Sequence, residues 1–228
     1  MYLTWHLIRL LYSVLATFLG LLPVWLLLCI LYRVTRGFSK TNGRNKRCTP
    51  VSTLAVLGSG GHTMEMIRLL SGLTEKYYPR HYVVANSDKF SNTKIEEFEQ
   101  RRSLCAGGDK AYKVYHIPRS REVGQSYFSS IFSTIYSCFC CFPLVRRIHP
   151  DLILCNGPGI CVPIVFVGLI LKYLFLMDVT IVYVESVCRV KTLSLSAQLL
   201  YPFIDHLLVQ WPQLKERYSG ADFLGRLI

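Results

Sequence analysis

The stretch from Val51 to Thr63, read as VSTLAVLGSGGHT, constrains the fold of this chain more than any other feature. A short apolar run leads directly into a glycine-rich turn and then into a helical pattern, as expected for a strand, a turn and a helix. Glycine accepts positive φ angles and lets a ligand approach the backbone, and the N-terminus of the following helix attracts anions. The stretch therefore predicts a phosphate-binding turn, with a tight structural turn as the alternative.

The glycine spacing disfavours two common nucleotide-binding motifs. The turn does not continue as GxGxxG with an acidic residue at the end of the next strand, and it lacks the GK[ST] of a P-loop. The predicted ligand is therefore a phosphate-bearing molecule outside the dinucleotide and NTPase classes. We expect no cofactor and no metal, because the cysteines are irregularly spaced and the sequence has no DxD-type carboxylate cluster.

Strand-like and helix-like segments alternate through the rest of the chain. Strands are predicted at Thr53–Leu57, His81–Ala85, Tyr112–Ile117, Asp151–Cys155, Thr180–Val184 and His206–Val209. This alternation is typical of a parallel sheet with right-handed crossovers, so we predict one α/β domain, a Rossmann-like, doubly wound parallel-sheet lobe, over residues 51–228. In such sheets ligands bind beyond the carboxyl ends of the strands, where the glycine-rich turn lies.

A second glycine-rich turn, Asn156 to Gly159 (NGPG), follows the fourth predicted strand. It would bring further backbone N–H groups to the same sheet edge, with a tight turn fixed by Pro158 as the alternative. The candidate anion-binding residues are therefore Gly58, Ser59, Gly60, Gly61, Thr63, Asn156, Gly157 and Gly159.

Two uncharged or nearly uncharged segments invite comparison with membrane helices. The run from Ile160 to Met177 is predicted to be a buried crossover helix, because it contains Pro163 and Lys172 and lies between two strand signals. The serine-rich segment Tyr127–Val145 is predicted to be an amphipathic or interfacial helix.

The N-terminal region predicts a membrane anchor. No charged residue occurs from Leu10 to Tyr32, and a helix of about 23 residues spans about 34 Å, which is enough to cross a bilayer core. A cleaved signal peptide is the alternative, but the run is too long for an h-region and no small-x-small cleavage site follows. We therefore predict a transmembrane helix at 1–32 and a basic juxtamembrane linker at 33–50.

Charge distribution sets the predicted orientation of the anchor. The apolar run is followed by cations with no acid among them, Arg33, Arg36, Lys40, Arg44, Lys46 and Arg47. The positive-inside rule therefore places the domain in the cytoplasm. The net charge of +12 indicates membrane lipid or a phosphorylated ligand, and no nucleic-acid-binding motif supports nucleic acid instead. The nine irregularly spaced cysteines form no disulfide framework and fit a reducing compartment.

Several motifs together carry a family resemblance. They are GSGGHT, CNGPG, VYVESVCRV (Val182–Val190), VQWP (Val209–Pro212), IPRSREV (Ile117–Val123) and the terminal LGRLI (Leu224–Ile228). Over about residues 51–228 the chain resembles the asparagine-linked glycosylation fourteen family, the membrane-anchor subunit of a two-subunit UDP-N-acetylglucosamine transferase of dolichol-linked oligosaccharide synthesis. That family is similar to the amino-terminal, acceptor-binding half of a GT-B glycosyltransferase, such as the bacterial enzyme that adds N-acetylglucosamine to lipid-linked muramyl pyrophosphate.

The resemblance implies a function and a location. The chain would hold GlcNAc-pyrophosphate-dolichol and recruit a soluble donor-binding subunit, and together they would add the second GlcNAc. The implied location is the endoplasmic reticulum membrane, single-pass with the domain on the cytosolic face, and the nuclear envelope in addition. A pure membrane scaffold for that subunit, without a substrate site, and a self-sufficient lipid-phosphate enzyme remain the alternatives.

The resemblance also implies roles for individual residues. The bacterial GGTGGH loop corresponds to Gly58–His62, so the turn is implied to hold the acceptor pyrophosphate, and His62 is a candidate general base toward the acceptor 4-hydroxyl. Capping the helix or binding phosphate is the other role for His62. Glu185 matches the glutamate of the bacterial HEQN segment, but its neighbours differ, which leaves a catalytic or sugar-binding role and a buried structural role open.

The size of the domain predicts that a partner subunit is needed. GT-B transfer takes place in a cleft between two lobes, and the chain has room for one. UDP-GlcNAc is therefore expected to bind mostly on the partner, and the chain is expected to be inactive alone. We predict that the apolar tail Leu224, Gly225, Arg226, Leu227 and Ile228 docks onto that partner, with packing against the chain's own sheet edge as the alternative.

Overall fold

The structure is a computed structural model that describes residues 20, 24, 49–106, 112–122, 124–157 and 159–227. Almost all of the predicted anchor at 1–32 and of the linker at 33–50 lies outside the described residues. The chain divides into two units, Met1–Arg47 and Cys48–Ile228, and the second carries the fold described below.

A seven-stranded parallel sheet forms the centre of the second unit. Its strands are β1 (Thr53–Val56), β2 (Arg80–Ala85), β3 (Tyr112–Ile117), β4 (Leu152–Asn156), β5 (Thr180–Val184), β6 (His206–Val209) and β7 (Ala221–Phe223). Their order is β3-β2-β1-β4-β5-β6-β7. The predicted strands are confirmed to within one residue at either end, whereas β7 was not predicted.

Helices cover both faces of this sheet. They are α1 (Gly61–Ser71), α2 (Lys89–Ala106), α3 (Tyr127–Ile148), α4 (Cys161–Tyr173), α5 (Leu195–Leu200) and α6 (Pro212–Arg217). Met66 of α1 and Ile95 of α2 pack in one apolar core, and Ile164 of α4 packs in the other. Because neighbouring side chains of a strand point to opposite faces, Leu54 enters one core and Ala55 the other. The prediction of a doubly wound α/β lobe is confirmed.

The strand order reverses between β1 and β4. The chain runs outward from β1 through β2 to β3 and then returns to pair β4 with the other side of β1, with Val56 opposite Cys155. The connections after β1 and β4 therefore lead to opposite faces, which opens a crevice at their carboxyl ends. Both glycine-rich turns border this crevice.

Helix α4 confirms the predicted buried crossover helix. Pro163 and Ile164 are buried, and the ammonium group of Lys172, which is 4% exposed, lies 2.5 Å from the carboxylate of Asp205. A buried ion pair of this kind keeps the one cation of the helix inside the protein. Among the described helices, one segment, the 21 residues Phe128–Ile148 within α3, is long and apolar enough to cross a membrane.

Candidate functional site

The turn between β1 and α1 is open on its outer side. Gly60 has φ 68° and ψ −124°, a conformation that residues with a Cβ rarely adopt. A Cβ atom placed on Gly60 or Gly61 would meet no atom within 4 Å, so the space above the turn is empty. Of the residues the structure describes, none caps the start of α1 with its side chain. Its first N–H groups are therefore oriented toward the space in which an anion would bind.

Thr63 holds the turn from its inner side. Its side chain is fully buried, and its hydroxyl donates to the Gly58 carbonyl oxygen at 2.5 Å and lies 2.6 Å from the hydroxyl of Ser91. Ser91 is in turn held by the Asp88 carboxylate, which accepts from its backbone N–H at 3.0 Å and from its hydroxyl at 2.6 Å. Thr63 thus supports the turn and does not face the open space.

His62 lies at the centre of the crevice. Its Nδ1 is 3.3 Å from Oδ1 of Asn156, at the end of β4, and 3.5 Å from Oε2 of Glu65, one turn further along α1. The amide nitrogen of Asn156 donates to the Val184 carbonyl, which orients the Asn156 oxygen toward His62. Since both neighbours of Nδ1 are acceptors, we assign its proton to Nδ1. The neutral imidazole then carries its lone pair on Nε2, for which the described residues provide no hydrogen-bond partner, and the side chain is 32% exposed.

Glu65 joins three parts of the site. One carboxylate oxygen faces His62, and the other accepts from the Ser186 hydroxyl at 2.8 Å and from the Val187 backbone N–H at 3.3 Å. The connection after β5 is thereby tied to α1. Neither Glu65 nor Ser186 was among the predicted site residues. The available signal was the spacing of three residues between His62 and Glu65, which places both on one helix face.

The charged forms of His62 and Glu65 stabilise each other. The contact of His62 with the Glu65 carboxylate is the largest cause that raises the pKa of His62, against an opposing effect of burial, and Asn156 raises it further. Burial disfavours the charged form of Glu65, but its hydrogen bonds with His62, Ser186 and Asn156 together lower the pKa of Glu65. An ionised Glu65 therefore stabilises the protonated form of His62.

Gly157 makes room for the His62 ring. Its φ is 95°, and a Cβ atom at this position would lie 2.6 Å from Cγ and 2.7 Å from Cε1 of the imidazole. The Gly157 carbonyl accepts a hydrogen bond of 2.5 Å from the buried Tyr183 hydroxyl, which fixes the turn. A Cβ atom on Gly159 would lie 3.1 Å from the Ser120 hydroxyl, a milder approach. The second turn is thus shaped around His62.

Glu185 is enclosed behind the site. It is fully buried, and its two carboxylate oxygens accept from the backbone N–H groups of Ser186 at 3.0 Å and Ser194 at 2.8 Å. These bonds hold both ends of the connection that follows β5. The geometry favours the buried structural role among those left open by the sequence.

A cavity of about 930 Å³ begins at the first glycine turn. Its polar end is lined by Gly58, Ser59, Arg119 and Arg121, and Gly159 of the second turn borders it. The two arginines come from the connection after β3 and were not among the predicted site residues. Both side chains line the cavity that the turn borders, so each is a candidate counter-charge for a phosphate group held by the turn.

The predicted docking tail is partly packed against its own domain. Arg226 stacks over the Trp211 ring at 4.3 Å, and the Leu227 N–H donates to the Gln210 side chain at 2.8 Å. Leu224 is 69% exposed, and Ile228 lies outside the described residues. The tail is therefore partly packed against its own domain and partly exposed to solvent.

Within the described ranges, no group of three or more His, Cys, Asp or Glu side chains is placed to hold a metal ion. The crevice combines an open glycine-rich turn, an oriented imidazole whose Nε2 has no hydrogen-bond partner among the described residues, and nearby arginines. Such an arrangement can bind a phosphorylated molecule and accept a proton from a hydroxyl next to it.

The chain is similar to several known proteins that share one name. A human protein, "UDP-N-acetylglucosamine transferase subunit ALG14", is 46% identical over 217 residues, covering 94% of this chain and 98% of that protein. A protein of the same name from Yarrowia lipolytica is 41% identical over 186 residues, covering 81% of this chain and 84% of that protein.

A solved structure shares the fold. MurG of Acinetobacter baumannii superposes with a TM-score of 0.52 at 11% identity, over 72% of this chain and 42% of the MurG chain. The chain thus spans less than half the length of that structure. The profile described as "Oligosaccharide biosynthesis protein Alg14 like" matches residues 53–227, which confirms the resemblance named from the sequence. The chain therefore belongs to the Alg14-like family of oligosaccharide biosynthesis proteins.

Proposed function

We propose that this chain is the acceptor-binding, membrane-anchoring subunit of a UDP-N-acetylglucosamine transferase, acting on GlcNAc-pyrophosphate-dolichol with a separate soluble subunit that binds UDP-GlcNAc. The names of the relatives support a transferase subunit. The observation that carries the acceptor-binding role is His62, held through Nδ1 by Glu65 and Asn156, with Nε2 free beside the open glycine turn.

In the proposed site the turn holds the acceptor pyrophosphate. The backbone of Ser59, Gly60 and Gly61 and the positive end of α1 meet the phosphate oxygens, and Arg119 supplies a cation from the neighbouring connection. Thr63, Asn156 and the glycines of the second turn act by shaping this site and orienting His62.

His62 is the proposed base. Its Nε2 accepts the proton of the acceptor 4-hydroxyl while that oxygen forms a bond to the anomeric carbon of the donor sugar. The bond from that carbon to the pyrophosphate of UDP breaks, and UDP leaves with the electron pair. Glu65 positions the ring and stabilises the positive charge that develops on it, as the aspartate does in a Ser-His-Asp triad.

A partner subunit completes the proposed enzyme. The transfer needs a donor opposite His62, and the described residues form one lobe around one sheet. We propose that the tail Leu224, Gly225, Arg226, Leu227 and Ile228 contributes to the contact, since Phe223 at the end of the edge strand β7 and the following Leu224 are exposed apolar side chains. The chain alone is expected to be inactive.

The proposed location is the endoplasmic reticulum membrane, with the domain on the cytosolic face. The support is the uncharged run from Leu10 to Tyr32 and the cations that follow it. Protease added outside sealed microsomes should digest the domain and leave a tag at Met1 protected. Protection of the domain and loss of the tag would overturn this orientation.

Reconstitution tests the function directly. The full-length chain and the donor-binding subunit are expressed together or singly, and transfer from UDP-GlcNAc to GlcNAc-pyrophosphate-dolichol is measured. We expect product from the pair and none from either subunit alone. Product from the donor subunit alone, at the rate of the pair, would show that this chain is only a scaffold, and product from this chain alone would show a self-sufficient enzyme.

A substitution in the turn tests acceptor binding. In Gly61→Val the new side chain enters the space above the turn, where a Cβ meets no protein atom, so folding and partner binding should persist while transfer is lost. Gly72→Val, at the far end of α1, is the matched control and should retain transfer. Near-normal activity of Gly61→Val would remove the turn from the acceptor site.

A further inference from the structure

Helix α3 presents its apolar side to the outside and its hydroxyl groups to the protein. The hydroxyl of Ser137 donates to the Pro118 carbonyl at 3.0 Å, and that of Ser133 donates to the Ser120 carbonyl at 2.7 Å. The opposite side exposes Phe128, Phe132, Tyr136, Phe139 and Phe142, and Ile131 and Ile135 are exposed at the border between the two sides. A helix in water has the reverse arrangement, so this exposed side is suited to an apolar environment.

The same helix is attached to the domain along its length. Cys141 and Val145 are fully buried in the core that also contains α4. A helix crossing a bilayer alone would not bury these side chains in a sheet protein, whereas one lying in the membrane interface keeps one side on the domain. The exposed cations Arg146 and Arg147 end the helix and suit the phosphate groups of a membrane surface.

The cavity that begins at the glycine turn runs under this helix. Its polar end has Ser59 and Arg119, and its apolar walls are Ile131 and Ile135 of α3, Phe166 of α4, and Leu195 and Leu199 of α5. The volume of about 930 Å³ greatly exceeds the need of a pyrophosphate group. A phosphate-binding end that continues into an apolar channel matches an amphiphile whose phosphate is attached directly to a hydrocarbon chain.

We propose that this channel between α3, α4 and α5 holds the first isoprene units of the lipid-linked acceptor, and that the exposed side of α3 lies in the membrane from which the lipid comes. The inference rests on the proposed function, since it assigns the lipid part of the same substrate. A free sugar phosphate would leave the apolar walls in contact with water. A protein partner on α3 would cover the outer aromatic side but would have no part in the channel that reaches the turn.

Two acceptors and a matched pair of substitutions test the proposal. The acceptors carry the same GlcNAc-pyrophosphate group, one on a long isoprenoid chain and the other on a short water-soluble chain. Leu199→Gln changes a channel residue that is 59% exposed, and Leu104→Gln on α2 changes a residue that is 84% exposed outside the channel. Both variants are studied as full-length chains with the donor subunit, and thermal melting confirms folding.

For the long-chain acceptor, we expect Leu199→Gln to raise KM about tenfold, because a polar group replaces an apolar contact with the lipid. The KM for the short-chain acceptor should not change, and Leu104→Gln should match the wild type with both. Ile131→Gln, in the opposite wall, should repeat the effect of Leu199→Gln.

The outcomes separate this proposal from the function on which it rests. Wild-type transfer to both acceptors, with equal KM values for the channel variants and the control, would overturn the lipid channel and leave the function intact. Loss of the donor subunit from the channel variants in a pull-down would identify a protein contact and also overturn it. No transfer by the wild-type pair to either acceptor would overturn the proposed function, and the channel assignment with it.

Discussion

Replacing Glu65 by glutamine tests the mechanism at its most specific point. The glutamine oxygen can still accept from Ser186 and Val187, so the loop contact is preserved. Its amide nitrogen, however, would face Nδ1 of His62 as a donor. That contact favours the tautomer with the proton on Nε2, which removes the lone pair that accepts the substrate proton.

The size of the effect follows from the charge that Glu65 places near His62. Nδ1 and Oε2 are 3.5 Å apart, and two unit charges at that distance attract by about 1 kcal/mol in water and about 5 kcal/mol at an effective dielectric of about 20. Because the His62 side chain is 32% exposed, we take an intermediate value of about 3 kcal/mol, equivalent to about 10²-fold in kcat. Glu97→Gln, an exposed position on α2, should leave kcat unchanged.

The pH profile distinguishes this mechanism from a general loss of structure. The unprotonated base is the active form, so kcat should rise as the pH increases through the pKa of His62. The contact with the Glu65 carboxylate is the largest cause that raises this pKa, and its loss should move the rising limb to lower pH. A kcat close to that of the wild type, with an unmoved limb and intact folding, would refute the role of the pair.

The remaining predictions concern the base, the second turn and the tail. His62→Ala should lower kcat by about 10²–10⁴-fold with little change in acceptor KM, whereas a rise confined to KM would indicate a phosphate ligand instead. Gly157→Ala should destabilise the fold by about 1–2 kcal/mol in thermal or urea unfolding and displace His62, because its φ is 95° and its Cβ would overlap the imidazole. Gly159→Ala is its milder control. Deleting Leu224–Ile228 should release the donor subunit in membrane fractionation, and a membrane-bound complex with full activity would contradict this.

The site could be predicted at the carboxyl edge of the sheet. Local sequence patterns identify the strands, and a parallel topology brings their carboxyl ends to one edge. The β1 and β4 signals each end in a glycine-rich turn, and parallel pairing brings those ends together. The short strand β7 could not be found in this way. Its three residues include a charged side chain and have no distinct alternation, and pairing with β6 alone makes them a strand.

Sequence patterns could not predict which side chains contact each other. Glu65 is one of several polar residues on a helix, and nothing local shows that it meets both His62 and Ser186. Glu185 matches a functional residue of the family that the chain resembles, yet its two carboxylate oxygens accept hydrogen bonds from backbone N–H groups. These contacts depend on how α1 and the connection after β5 rotate against each other, which packing decides.

The sequence by itself determined the class of the fold, the two glycine turns and the apolar character of α3, because strand and helix periods and the conformational freedom of glycine are local properties. The tertiary structure alone decided which side of α3 faces outward and that His62 meets both Asn156 and Glu65. The physical reason is that orientation and contact between distant segments arise from packing many elements around one sheet. The hydroxyl groups of α3 find carbonyl partners in the connection after β3, and that leaves its aromatic side chains outside.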